Sequence, residues 1–449
     1  MVSLTDTQIS ASQSQSPCAS SVRIQRLLGR SMRTVRSNLF KNAPVRALDP
    51  PEPSGAVSEE LTDSFVDVRL RELAAAGPSS AAGKAARDLL ELSGEFSDYS
   101  SFSSDISGEL ERLAGAAPRS DGEFAAASAL LLRRPELEEP PRSEALDWYP
   151  VERLEPVVRA CVERLRASEP AEARREAAAR LRLLAKHRSE LRELIGASGA
   201  IPALVELLRS TDPAAQEGAA TALLNLSLAE ANKAAIAAAG AIKPLVYVLR
   251  TGTAAAKQNA ACALLSLSTV EEHRGTIGAC GAIPPLVSLL VRGTTRGKKD
   301  ALAALYKLCA ARRNKERAVS AGAVAPLVAM VAEQQGGTAE KAMVVLGSLA
   351  AIADGRDAIV DAGGIPALVE AIEDGPPRGK EFAVVALLQL CADSPRNRAL
   401  LVREGAIPPL VALSQSGSAR AKHKAEVLLG YLREPRHDGG AAAALGLAR

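Results

Sequence analysis

At 449 residues the chain is long for one compact core, and with 47% hydrophobic but only 3% aromatic residues its interior must be built from Leu, Ala, Val and Ile, side chains suited to close helix packing. A net charge of +3 gives no global argument for nucleic acid. Six scattered cysteines without a Cys-x-x-Cys pair, and no apolar run of bilayer or signal-peptide form, lead us to expect reduced core thiols in a cytoplasmic or nuclear protein.

Residues 1–150 are rich in Ser, Pro, Gly and charge, a composition that buries too little apolar surface to offset its ordering entropy, so most of this region is expected to be disordered. Two patches stand out in it. At 22–41, Ile24, Leu28, Met32, Val35 and Leu39 fall at helical spacing with Arg23, Arg26, Arg30, Arg33 and Arg36 between them. Such a basic amphipathic segment fits contact with an anionic membrane, an acidic partner, a nuclear import signal, a transit peptide, or a solvated arm without a partner. The membrane reading predicts liposome binding that vanishes when these arginines become Ala. At 91–113, Glu91, Glu95, Asp98, Asp105, Glu109 and Glu111 alternate with Phe96, Tyr99, Phe102, Ile106 and Leu110 among seven serines. This reads as a docking motif, open to phosphorylation, or as a linker. A short helix is expected over 59–75.

From Leu154 the chain is periodic. Gly-Ala-Ile-Pro or a close variant starts at Gly199, Gly240, Gly281, Gly322, Gly363 and Gly405, with steps of 41, 41, 41, 41 and 42 residues. A period near 40 marks stacked helical units, none of which can bury its apolar face alone. The Gly lets a first helix leave through a left-handed residue, and the nearby proline opens a second helix where no N–H is needed. A longer third helix ends in a recurring phrase: Leu-Leu-Asn-Leu at 223–226, Leu-Leu-Ser-Leu at 264–267, Leu-Tyr-Lys-Leu at 305–308, Leu-Gly-Ser-Leu at 346–349, Leu-Leu-Gln-Leu at 387–390 and Leu-Gly-Tyr-Leu at 429–432. Leu-Arg-Leu-Leu at 181–184, preceded by a capping helix over 154–166, makes a seventh unit, so the repeat domain is expected over 151–434 with a flexible tail at 435–449.

This pattern resembles armadillo repeats, and more narrowly the C-terminal repeat region of plant U-box ubiquitin ligases. The likeness rests on Thr-Ala-Leu-Leu-Asn-Leu-Ser at 221–227, Arg-Gly-Lys-Lys-Asp at 296–300, Asn314 with Lys315 and residues 317–319, and residues 403–414. It implies an all-α solenoid, a right-handed superhelix of three-helix units whose third helices line a concave groove for extended partner segments. A U-box of that family would bring a Phe-x-Cys-Pro-Ile start and a later Cys-Pro, whereas the aperiodic region holds only Cys18. The resemblance is therefore to armadillo-only relatives. Armadillo-type import receptors use a ladder of Asn with Trp one turn earlier. Here the ladder row reads Arg182, Asn225, Ser266, Lys307, Ser348, Gln389 and Tyr431, and the single tryptophan, Trp148, lies outside the repeats, so import-receptor chemistry is not expected.

Arg296, Arg378 and Arg420 recur eleven residues before the ladder, about 20° from it on a helix, and so share its face. Lys257, Lys298, Lys380 and Lys422, nine residues before, fall on roughly the opposite side. Cations at a helix start oppose its dipole, which favours an acidic or phosphorylated ligand over a stability role; the plainer reading is a solubility stripe. His187, His273, His423 and His437 lack metal or catalytic spacing, so no enzyme, cofactor or metal is expected. The expected role is a non-catalytic scaffold binding proteins, with neither nucleic acid nor a small-molecule substrate as ligand. Segment 91–113 is a candidate ligand within the chain. The alternative is a component of E3 ubiquitin ligase activity.

Overall fold

The computed structural model describes residues 150–433 apart from Ser168, Glu169 and Gln335, and these residues form twenty α-helices. The basic segment at 22–41, the helix expected at 59–75, the acidic segment at 91–113 and the tail at 435–449 lie outside the described residues.

Two helices open the stack, α1 (Val151–Arg166) and α2 (Ala171–His187). Six three-helix units follow. They are α3–α5 (Glu190–Ala197, Ala200–Leu207, Pro213–Ser227), α6–α8 (Glu230–Ala238, Ile242–Thr251, Ala254–Leu267), α9–α11 (Glu271–Ala279, Ile283–Arg292, Thr295–Leu308), α12–α14 (Arg312–Ser320, Val324–Ala332, Gly336–Ala350), α15–α17 (Ala353–Asp361, Gly364–Asp374, Pro377–Cys391) and α18–α20 (Pro395–Arg403, Ile407–Ser416, Ala419–Arg433).

The glycine punctuation works as its chemistry requires. All six motif glycines take positive φ, from 74 to 85°. At Gly240 its own N–H donates to Ala237 O (3.0 Å) and the N–H of Ala241 reaches back to Ile236 O (3.3 Å), which closes the last turn of α6 and frees the chain to enter α7 at an angle. The third helices open differently. Asp212, Thr253, Thr294 and Ser418 each accept a backbone N–H of the first turn, from Ala214, Ala256, Gly297 and Ala421. The fourth unit breaks this habit: Gln334, the one non-glycine with positive φ among the described residues (46°), leads into a Gly-Gly start of α14.

One buried apolar cluster runs from Leu154 to Leu429. Its spine is the recurring leucine of the third helix, Leu223, Leu264, Leu305, Leu346, Leu387 and Leu429, each no more than 1% exposed. Burial of each such side chain is worth about 1.5–3 kcal/mol. Third helices pack on one another from unit to unit far more extensively than second helices do. Cys161, Cys262, Cys309 and Cys391 are buried thiols in no disulfide among the described residues, and Cys280 is half-buried.

Candidate partner-binding wall

The ladder residues lie in α2 and the third helices, where they divide into two groups. Asn225, Ser266, Ser348 and Gln389 are at most 7% exposed. Three of them serve the stack directly: Asn225 Nδ2 donates to Arg182 O (3.1 Å), Ser266 Oγ to Ser227 O (2.8 Å) and Ser348 Oγ to Cys309 O (3.2 Å), each acceptor lying in or at the end of the preceding third helix. Gln389 Oε1 has no hydrogen-bond partner among the described residues. Arg182, Lys307 and Tyr431 are half-buried, with Arg182 Nε and the Tyr431 hydroxyl oxygen buried and the Arg398 guanidinium carbon 5.4 Å from the Tyr431 ring centre. Burial, and after it the Arg274 guanidinium, lowers the Lys307 pKa from the ordinary lysine range.

The arginine row is equally uneven. Arg420 Nε lies 3.6 Å from Glu381 Oε1 of the preceding third helix, which fixes it on the face where third helices meet. Arg378 is exposed, with its guanidinium carbon 6.0 Å from the Phe382 ring centre. Arg296 is exposed and has no ion-pair partner among the described residues. Equivalent places in sequence thus carry one neutralised, one stacked and one open cation.

For one residue of the lysine row the dipole argument needs correction. Lys380 Nζ donates to Glu373 O (2.9 Å), the carbonyl end of α16, so it compensates the negative end of that helix rather than merely opposing the positive end of its own. Lys257 and Lys298 make no such bond and stay half-exposed.

A polar-basic dipeptide that recurs with the repeat, at 232–233, 273–274, 314–315 and 397–398, holds the units together and was not singled out as a row by the sequence reading. Asn232 Nδ2 donates to Arg192 O (2.7 Å) and Leu226 O (3.0 Å), and Asn314 Nδ2 to Arg274 O (2.8 Å) and Leu308 O (2.9 Å). Where the basic place of the repeat holds an arginine, as at 192, 274, 356 and 398, it caps the end of a third helix, whereas Lys233 donates to Thr269 Oγ1 (2.7 Å). Arg192 Nε donates to Ala185 O (2.8 Å), Arg274 Nε to Ser268 O (3.0 Å), Arg356 Nη1 to Ala350 O (3.2 Å) and Arg398 Nε to Cys391 O (2.9 Å). These cations sit where helix dipoles end in negative partial charge, so they belong to stability.

Among the described residues no three His, Cys, Asp or Glu side chains gather as metal ligands, and no single helix is long and apolar enough to cross a membrane. Burial pushes the thiols of Cys309 and Cys391 up to about 12 and that of Cys161 up to about 11, the opposite of what a nucleophile requires.

Several known proteins resemble this chain. U-box domain-containing protein 4 of Arabidopsis thaliana is 56% identical over 75 residues, 17% of this chain and 9% of that protein. E3 ubiquitin-protein ligase SPL11 of Oryza sativa subsp. japonica is 54% identical over 63 residues, 14% of this chain and 9% of that protein. The matches thus span about a tenth of the length of these relatives. The crystal structure of an engineered protein superposes with a TM-score of 0.58 at 25% identity, over 81% of this chain and 88% of that one. The family model described as the plant U-box protein ARM repeat region matches residues 157–439, across all six three-helix units, and the chain belongs to that armadillo-repeat family.

Proposed function

We propose that the chain is a non-catalytic interaction scaffold whose inner wall takes extended acidic or phosphorylated segments of partner proteins. The observation that carries this reading is Arg296: exposed, at the start of a third helix where a cation opposes the dipole, and without the carboxylate partner that its equivalent Arg420 has. Lys298 and Lys299 in the same turn are also without ion pairs among the described residues. Open cations of this kind gain from carboxylate or phosphate, which an arginine fork binds through two hydrogen bonds. Titration of the full chain with extended peptides of matched length tests the reading. Acidic and phosphorylated peptides should bind, with affinity falling as salt rises, and basic ones should not. Equal binding of acidic and basic peptides contradicts it.

A second reading has the family and its relatives behind it: the chain is a component of ubiquitin-ligase activity, alone or through a U-box partner. An in-vitro ubiquitination assay with charged conjugating enzyme separates the two. Transfer without an added ligase overturns the non-catalytic reading. Transfer that requires a U-box protein and rises with this chain makes it a scaffold of the ligase.

A further inference from the structure

The units made by α6–α8 and α9–α11 carry a surface that neither the stack nor the recurring ladder explains. Arg250 and Arg292 lie at the ends of their second helices, and Lys257, Arg296, Lys298 and Lys299 in the first turns of the following third helices. Four of these six are exposed and two half-exposed, and none is in an ion pair among the described residues. One acid reaches the corner: Glu217 accepts from Thr253 Oγ1 (2.7 Å) at the start of α8 and forms no ion pair with these cations. Lys257, Arg296, Lys298 and Lys299 face solvent at helix starts whose partial charge is also positive, whereas Arg250 and Arg292 sit at the negative ends of α7 and α10.

The same corner is apolar. Three large hydrophobic side chains are exposed among the described residues, and two of them are here: Tyr247 (44%) and Val291 (52%). The Arg250 guanidinium lies 5.8 Å from the Tyr247 ring centre, and Val291 directly precedes Arg292. A ligand fitted to this corner is acidic and carries bulky apolar groups.

We propose that this surface is the docking site of residues 91–113 of the same chain, an inference that rests on the reading of the wall as a binder of acidic segments. The segment has six acids against one base, Arg112, with Phe96, Tyr99, Phe102, Ile106 and Leu110 among them. Its charge and its apolar groups both complement the corner. Its tether also has the right reach. Residues 114–149 separate it from the start of the described helices. These 36 residues can reach at most about 120–130 Å. The site lies two to three helix layers along the stack from α1 and α2, about 16–30 Å at 8–10 Å per layer. The span is well within that reach, and a tethered segment meets its site at a high effective concentration.

The test uses two full chains, the native one and one with Glu91, Glu95, Glu109 and Glu111 changed to Gln and Asp98 and Asp105 to Asn. A labelled peptide of residues 91–113 is titrated into each and followed by fluorescence anisotropy. The neutralised chain should bind the peptide about ten-fold tighter or more, because the native chain's own segment competes at high effective concentration. Adding Arg296→Gln and Lys299→Gln to the neutralised chain should abolish that gain, and adding Lys422→Gln should not. Equal affinity of the two chains overturns the intramolecular docking; if binding in that case still responds to Arg296→Gln and Lys299→Gln, the acidic-ligand reading stands. Absence of binding to either chain overturns both. A native chain that dimerises in sedimentation while the neutralised one stays monomeric assigns the segment to a second copy and overturns docking within one chain.

Discussion

Asn314 is held against Gly278 of the preceding unit: a Cβ on that glycine would lie 1.8 Å from Asn314 Oδ1, while Asn314 Nδ2 donates to Arg274 O and Leu308 O. Asn232 meets Gly196 in the same way, with 1.9 Å to the added carbon. The tie is not uniform along the stack. In the α9–α11 unit His273 stands at the Asn position with Nδ1 3.2 Å from Leu267 O, and in the α15–α17 unit Gly355 stands there with no side chain to donate.

Gly278→Ala should therefore displace Asn314 and leave two carbonyls with their bonds broken, at a cost of about 1–3 kcal/mol. Gly275→Ala, three residues earlier in the same helix with nothing within 4 Å of the added carbon, should stabilise by about 0.5–1 kcal/mol through helix propensity alone. Urea unfolding of the two variants checks the opposite signs.

The lysine row should split in the same kind of experiment. Lys380→Ala removes a charge-assisted bond to the end of α16 and should destabilise by about 0.5–1.5 kcal/mol. Lys298→Ala touches no such bond and should stay within about 0.5 kcal/mol of the native chain. Its effect belongs in the affinity for an acidic peptide.

Gln389→Met replaces a buried amide whose oxygen lacks a partner by an apolar side chain of similar length. Thermal unfolding should show a gain of about 1 kcal/mol. A loss of stability would mean that the amide has a role in the stack.

Alkaline pH should unfold the stack through its thiols. In Cys309 and Cys391 burial raises the pKa from 9.0 to about 12, so the unfolded chain ionises first as pH rises. Their contribution is complete below pH 9.0 and is lost between there and about 12, with up to about 1.4 kcal/mol per thiol for each pH unit. Cys309→Ala should flatten that slope in urea titrations at successive pH values. Half-buried Cys280 should also react with a thiol reagent ahead of Cys161, Cys262, Cys309 and Cys391.

Much of the fold was legible because the repeat states it six times: the glycines at positive φ, the prolines just after them and the leucine spine are local chemistry on a fixed step. The site was legible only as rows. Nothing local to Arg420 distinguishes it from Arg296, since the carboxylate that neutralises it, Glu381, comes from the unit before. Lys380 was misjudged because the dipole of its own helix was weighed and the end of α16 packed beside it was not. The Asn tie escaped notice as a row because His273 and Gly355 interrupt it, and Gly196 and Gly278 look like ordinary helix breakers until the next unit is stacked on them.

Hydrogen exchange of the full chain, with and without an extended acidic peptide, tests the central claim most directly. The account predicts slowed exchange in the third helices, strongest at the start of α11 around Arg296, and none on addition of a basic peptide. Protection confined to the second helices, or equal protection by acidic and basic peptides, contradicts it.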